Sequence, residues 1–228
     1  MKIFCRKEDL HHAVQTVQKA VATKTPLPIL TGIYLSAQNG ELQLQATDYE
    51  VGISSTIAAT VEEPGAVVLS GRYFQEMVRR LPGDVVEIAS SKEDRTIKIT
   101  SQNSQFNLLS LPAEEFPVLK PVKGDNSLTI NDGILRDLIR KTVFACATDE
   151  ARPIFTGGLF EVEDQEIRMV ATNTHRMALK REKLPTSGGN FRMIIPAKIL
   201  QEVARLLVSE EPQEVNLSWH KNQVGIVF

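Results

Sequence analysis

The stretch RPIFTGGLF, Arg152 to Phe160, repeats one that occurs earlier in the chain, LPILTGIYL at residues 27–35. Aligned without a gap, Pro28, Ile29, Thr31 and Gly32 match Pro153, Ile154, Thr156 and Gly157, an offset of 125 residues. The offset holds upstream, where Leu10, Ala13, Val14 and Ala20 face Leu135, Leu138, Ile139 and Ala145. Downstream, ELQLQATD (residues 41–48) faces EIRMVATN (residues 166–173), with three identities and the apolar positions in step. One inserted residue then moves the offset to 126. Val67, Val68 and Leu69 face Met193, Ile194 and Ile195; Gln75 and Glu76 face Gln201 and Glu202; Arg72 and Arg79 face Lys198 and Arg205. A match that runs through strands, turns and helices with one small insertion is the mark of an internal duplication.

Each copy reads the same way. A short strand (Lys2–Cys5; Leu128–Ile130) leads into a helix with an apolar face, Leu10, Ala13, Val14, Val17 and Val21 in one copy and Ile134, Leu135, Leu138 and Ile139 in the other. A proline-bearing loop follows, then two alternating strands, Gly32–Ser36 and Glu41–Thr47 in the first copy, joined through Asn39-Gly40, a strong hairpin signal. Further strands precede a helix opening at Gly71 and stopped by Leu81-Pro82-Gly83-Asp84. Val85–Ala89 and Thr96–Ser101 read as closing strands. The predicted order is β-α-β-β-β-α-β-β, an α+β architecture of tandem duplicated domains, each with two helices packed on one face of antiparallel sheets. Copy one then continues through SQNSQFNLLSLPAEEFPVLK, one more strand and a tail, whereas Gln223–Phe228 aligns with the penultimate strand of copy one. The expectation is that copy two lacks its last strand and that the chain is a piece of a longer protein.

A length of 228 residues suits one large domain or two ordinary ones, and 42% hydrophobic with 24% charged residues is a globular composition. The net charge of −2 gives no global electrostatic case for binding nucleic acid. The distribution is uneven. The predicted helices, 6–21, 71–81, 131–142 and 197–207, carry eleven Lys/Arg against six Asp/Glu, so they net +5 and the rest of the chain −7. Arg72, Arg79, Arg80, Arg136, Arg140, Lys141, Lys198 and Arg205 are candidates for sequence-independent phosphate contacts. The alternative is that amphipathic helices merely solvate their outer faces with Lys and Arg.

Cys5 and Cys146 read as free, buried thiols of a reducing cytoplasm. No apolar run approaches the ~18 residues of a membrane span, and the N-terminus turns charged too soon for a signal peptide. No phosphate-binding loop, dinucleotide fingerprint, nucleophile elbow or metal-spaced Cys/His cluster occurs, so neither cofactor nor metal is expected. Adjacent His11 and His12 point to different faces of a helix. The most unusual local chemistry is ATNTHRM, residues 171–177, whose twin is ATDYEVG, so His175 and Arg176 are not required by the shared fold. Three readings stand for it: a peptide groove with a donor-rich rim over an apolar floor of Met177 and Phe155, an enzyme with His175 as base oriented by Asp149 or Asp164, or an ordinary turn.

LPIL at 27–30, ATD at 46–48, LPAEEFP at 111–117, RPIFTGGLFE at 152–161 and AT-x-x-HR-x-A at 171–178 together resemble the bacterial sliding clamp family, the β subunit or processivity factor of the replicative DNA polymerase. The resemblance covers essentially the whole chain. It implies clamp domain 1 at residues 1–121, clamp domain 2 at 127–228, and a third domain absent here. It implies a head-to-tail two-subunit ring when the protein is full length, helices lining the hole around duplex DNA, no catalysis, and a cytoplasmic location. Partners would be the polymerase, clamp loader and repair proteins, held through short linear peptides. The family's peptide cleft falls on Phe155, Thr172, Thr174, His175, Arg176 and Met177, where this chain departs from the A-T-D-G-H-R-L pattern at Asn173, Thr174 and Met177. On the DNA side the resemblance adds Lys24 and, from the loop Asp149, Glu150, Ala151, Arg152 and Pro153, Arg152 as a phosphate contact.

Overall fold

The repeated Pro-Ile-x-Thr-Gly motif builds the same turn twice. Pro28 and Pro153 open short 3-10 helices, Pro28–Thr31 and Pro153–Phe155, at a position where a missing N–H costs nothing. Thr31 Oγ1 donates to Pro28 O at 2.7 Å, and Thr156 Oγ1 to Pro153 O at 2.8 Å. The glycine that follows starts a strand where no side chain fits. A Cβ on Gly32 would lie 2.3 Å from Val68 Cγ1, and one on Gly157 2.7 Å from Ile194 Cγ2.

The structure is a computed structural model that describes residues 1–90, 95–122, 126–149, 151–185, 188–207, 211–220 and 222–228. Glu150 of the 149–153 loop lies outside these. The chain divides into two compact units, Met1–Lys120 and Pro121–Phe228.

The first unit runs β1 (Lys2–Arg6), α1 (Lys7–Val17), β2 (Gly32–Gln38), β3 (Glu41–Thr47), β4 (Gly52–Ala58), β5 (Thr60–Glu63), β6 (Gly65–Ser70), α2 (Gly71–Arg80), β7 (Val85–Ser90), β8 (Thr96–Ser101) and β9 (Ser104–Leu111). All pairings are antiparallel, in the order β4-β3-β2-β6-β9-β8-β7-β1-β5. Strand β9 joins the two halves of this sheet, pairing along its length with β8 and, through Ser110 and Leu111, with β6. Asn39 and Gly40 turn between β2 and β3 with φ of +53° and +80°, as a tight hairpin requires. Leu10, Ala13, Val14 and Val17 of α1 and Phe74 and Val78 of α2 bury in one core with residues of β1, β2, β3, β6, β7 and β8. Cys5 belongs to that core, and burial, reinforced by Asp9, pushes its thiol up to about 12.

The second unit runs β10 (Asn126–Asn131), α3 (Asp132–Arg140), β11 (Gly157–Glu163), β12 (Glu166–Thr172), β13 (Met177–Lys183), β14 (Asn190–Pro196), α4 (Ala197–Leu206), β15 (Glu214–His220) and β16 (Gln223–Val227). Asn131 caps α3, its Oδ1 accepting from Gly133 N at 2.9 Å. The duplication reaches the register itself. Tyr34 pairs with Gln45 as Leu159 pairs with Val170, and Gly32 pairs with Ser70 as Gly157 pairs with Pro196, which places the single insertion between β4 and β6. Leu135, Leu138 and Ile139 of α3 and Leu200, Val203 and Ala204 of α4 share a core with both sheets of this unit.

The structure corrects the sequence reading at several points. Five strands lie between the helices of the first unit and four between those of the second, not three; the fifth in the first unit, β5, is ordered by pairing with β1 rather than by a local signal. The first helix stops at Val17; residues Gln18–Ala20 tighten into a 3-10 turn. The helix predicted over 131–142 ends at Arg140. In the second unit, β13-β12-β11-β14 and β10-β15-β16 remain separate sheets, and no counterpart of the joining strand β9 is present among the described residues.

Candidate peptide site and cationic helices

The turn between β12 and β13 is held by its own side chains. Thr172 Oγ1 donates to Arg176 O at 2.8 Å and accepts from Thr174 N at 3.1 Å. Asn173 Oδ1 accepts from His175 N at 3.1 Å and Arg176 N at 3.0 Å. The twin turn of the first unit makes the same four bonds. Thr47 Oγ1 engages Val51 O and Tyr49 N, and Asp48 Oδ1 accepts from Glu50 N and Val51 N. Each turn therefore needs a Thr and an Asx to shape it. His175, Arg176 and Thr174 are left exposed as surplus chemistry. Thr174 has φ of +75° and its twin Tyr49 +73°, in the left-handed region that favours glycine.

This turn edges an apolar strip on the outer face of the four-stranded sheet. Register aligns Leu179, Val170, Leu159 and Ile194 across β13, β12, β11 and β14, so their side chains share one face. Leu179 is 43% and Ile194 41% exposed, and Met177, one step nearer the turn, is 70% exposed. One step the other way, Arg181, Arg168, Glu161 and Arg192 form the next row. Glu161 accepts from Arg168 Nε at 2.7 Å and pairs with Arg192 Nε at 3.1 Å. The strip is thus apolar between an ionic row and a donor-rich turn, an arrangement suited to an extended apolar ligand. Phe155, half-buried in the 3-10 helix that leads into β11, sits at the same end of the sheet as Thr172 and Met177.

The strip residues Leu159, Val170, Leu179 and Ile194 escaped the sequence reading. Their alternation was visible, but which face a strand leaves bare depends on what covers it. Phe144 was missed as well. Its carbonyl accepts from Arg176 Nη2 at 2.6 Å, and the Arg176 guanidinium carbon lies 6.0 Å from the centre of its ring.

The structure separates one of the two orienting carboxylates of the enzyme reading from His175. Asp164 lies in the turn between β11 and β12, whereas His175 follows the far end of β12. Seven residues of strand separate the two by roughly 20 Å at ~3.3 Å per residue. Asp149 is engaged in a turn of its own, accepting from Ala151 N at 2.9 Å. Among the described residues no group of His, Cys, Asp and Glu is placed to hold a metal ion, and no helix is long and apolar enough to cross a membrane.

The basic helices keep their cations outside. Arg72, Arg79, Arg80, Arg140, Lys141, Lys198 and Arg205 are exposed and Arg136 is half-buried; Lys24 and Arg152 are exposed on loops. Several are partly neutralised by their own helix. Glu76 pairs with Arg79 at 2.8 Å and Arg80 at 3.2 Å, and Glu202 pairs with Arg205, the twin of Arg79. Lys141 hydrogen-bonds Asp137 and, with Lys180 and Arg136 nearby, holds that carboxyl below the usual carboxylate range. Arg72, Arg136, Arg140, Lys198, Lys24 and Arg152 make no ion pair among the described residues, so Arg72 and its twin Lys198 are the unneutralised pair.

Comparison with known proteins bears on both surfaces. Residues 1–120 match the N-terminal domain, and residues 129–228 the central domain, of the DNA polymerase III beta subunit. The Bacillus subtilis beta sliding clamp is 38% identical over 91% of this chain and 57% of its own length; the Staphylococcus epidermidis beta sliding clamp is 32% identical over 98% and 61%. The chain thus spans about three fifths of these relatives. A crystal structure of the Bacillus subtilis DNA polymerase sliding clamp superposes on all of this chain and 62% of its own with a TM-score of 0.95 at 34% identity. A Pseudomonas aeruginosa sliding clamp bound to griselimycin superposes on 98% of this chain and 61% of its own with a TM-score of 0.90 at 30% identity. With both units matched along nearly their whole length, the chain belongs to the DNA polymerase III beta subunit family.

Proposed function

We propose that the chain supplies two clamp domains, 1–121 and 127–228, to a sliding clamp that encircles duplex DNA and gives a replicative polymerase its processivity. Its role is non-catalytic. The full-length protein closes as a homodimeric ring in the cytoplasm, with the helices toward the duplex. Lys24, Arg72, Arg79, Arg80, Arg136, Arg140, Lys141, Arg152, Lys198 and Arg205 meet phosphates without reading bases. The polymerase, clamp loader and repair proteins dock through linear peptides at Phe155, Thr172, Thr174, His175, Arg176 and Met177, beside the apolar strip of the four-stranded sheet.

The observation that carries this reading is the duplicated helix face. Arg72 and Lys198, one on each copy of the same helix, are exposed, lack a carboxylate partner among the described residues, and lie on helices whose other side is core. Salt titration of duplex binding by the full-length protein tests it. Abolishing one phosphate interaction lowers the slope of log affinity against log salt by about 0.9, so Arg72→Glu with Lys198→Glu lowers it by roughly 2 for each protomer that contacts the duplex, and by roughly 4 where both protomers of the ring do, on duplexes of any sequence. An unchanged slope and unchanged DNA retention would remove the helices from the DNA interface.

A further inference from the structure

Resting on the peptide-site reading above, we infer that Phe144 is a further ligand-contacting residue of that site and that Arg176 is its positioning residue. The duplication supplies the argument. Both units build the turn with the same Thr and Asx bonds, and the first does so with Val51 where the second has Arg176. Arg176 is therefore not needed to shape its turn. Both units also carry a short 3-10 helix after the first α-helix, Gln18–Ala20 and Val143–Ala145, with Lys19 where the second has Phe144. The two departures from the twin meet each other in space. Arg176 Nη2 donates to Phe144 O at 2.6 Å, and the guanidinium carbon stands 6.0 Å from the ring centre.

The 3-10 helix is seated from below by Ala145 and Cys146, which pack with Ala171 and Ala178 of β12 and β13. Arg176 ties its upper edge. Held between these, the Phe144 ring is 61% exposed, beside the turn that edges the apolar strip. Arg176 has no carboxylate partner among the described residues, so nothing there competes for its guanidinium. A rigid, exposed aromatic ring costs little entropy to immobilise and offers a large contact area, which is what a ligand anchor needs. The ligand it fits is a peptide-like chain that lays an apolar side chain against the ring beside Arg176.

Griselimycin binding, measured by calorimetry on the full-length protein and its variants, tests the assignment. Phe144→Ala is expected to weaken binding about tenfold and Phe144→Tyr to preserve it, with unchanged melting temperatures. Arg176→Ala is expected to weaken it severalfold. The double variant should lose less than the two single losses added together, because the part of the Arg176 effect that runs through Phe144 vanishes when the ring is gone. Wild-type affinity in Phe144→Ala, or losses that add in the double variant, would overturn the assignment while leaving the peptide site standing. Failure of the wild-type full-length protein to bind would bring down the peptide-site reading and this inference with it.

Discussion

Among the described residues, the outer face of the sheet is covered in the first unit and bare in the second, although the backbones and registers match. In the first, the segment following β9 folds back over it. Phe116 stacks on Tyr34 with ring centres 5.2 Å apart, and the Leu119 side chain presses on Gly52, where a Cβ would lie 2.6 Å from Leu119 Cδ2. Gln45, only 2% exposed, bonds the Leu119 backbone both ways. Its Oε1 accepts from Leu119 N at 2.8 Å, and its Nε2 donates to Leu119 O at 3.3 Å. In the second unit the twins of Tyr34, Gln45 and Gly52 are Leu159, Val170 and Met177, and no described segment lies over them. The difference shows in burial. Strand β3 is buried at five of its seven positions, including the four consecutive residues 44–47, whereas β12 alternates as a half-solvated strand should. The same scaffold thus carries a covering segment over its outer face in one unit and, among the described residues, none in the other.

The comparison breaks most visibly at Phe116. Phe116→Ala removes a buried ring from the covering segment and should destabilise the first unit by about 3–5 kcal/mol, read as an earlier urea transition. Leu159→Ala, on the uncovered twin of Tyr34, removes a half-exposed side chain and should cost about 1 kcal/mol or less. Equal losses at the two positions would mean that the second unit's face is as dry as the first's.

A sharper test exchanges the residues that distinguish the faces. Gln45→Val gives the first unit the residue of the second and deprives the Leu119 N–H and C=O of their partners, at a cost of about 1–2 kcal/mol. The reverse change, Val170→Gln, adds an amide where nothing is bonded and should stay within about 0.5 kcal/mol of wild type. Denaturant midpoints of the two variants measure this asymmetry. Symmetrical effects would show that Gln45 is not a latch.

Much of this fold was legible because the duplication let each copy check the other. The Asn39-Gly40 turn, the strands Glu41–Thr47 and Thr96–Ser101 and the helix starts at Gly71 and Ala197 rest on local chemistry or short-period patterns. The misses share a different cause. Strand β5 exists because Val61 meets Ile3, and Gln45 is buried because Leu119 reaches it from 74 residues away. Phe144 is held by Arg176, 32 residues on. The turn 172–177 was legible as chemistry but not as geometry. Its motif named the residues, whereas the strip beside it was set by cross-strand register, which alternation in a single strand does not reveal.

The smallest effect concerns the turns themselves, where the two units are expected to agree. Thr174 and Tyr49 hold φ of +75° and +73°, and an L-residue there costs roughly 1–2 kcal/mol, most of all a β-branched one. Glycine escapes that cost but gives up about 0.5–1 kcal/mol through the freedom it has when unfolded. Thr174→Gly should therefore stabilise the second unit by about 0.5–1 kcal/mol, raising its melting temperature by a few degrees. Tyr49→Gly should do the same in the first unit, since the Tyr49 ring is exposed and contributes little packing. The Thr and Asx bonds that hold each turn survive both changes, because they use the neighbours' side chains and the backbone N–H that glycine retains. Stabilisation at one turn with destabilisation at the other would mean that the shared bonds do not impose a shared backbone, and the correspondence between the twin turns would fail at the point where it is closest.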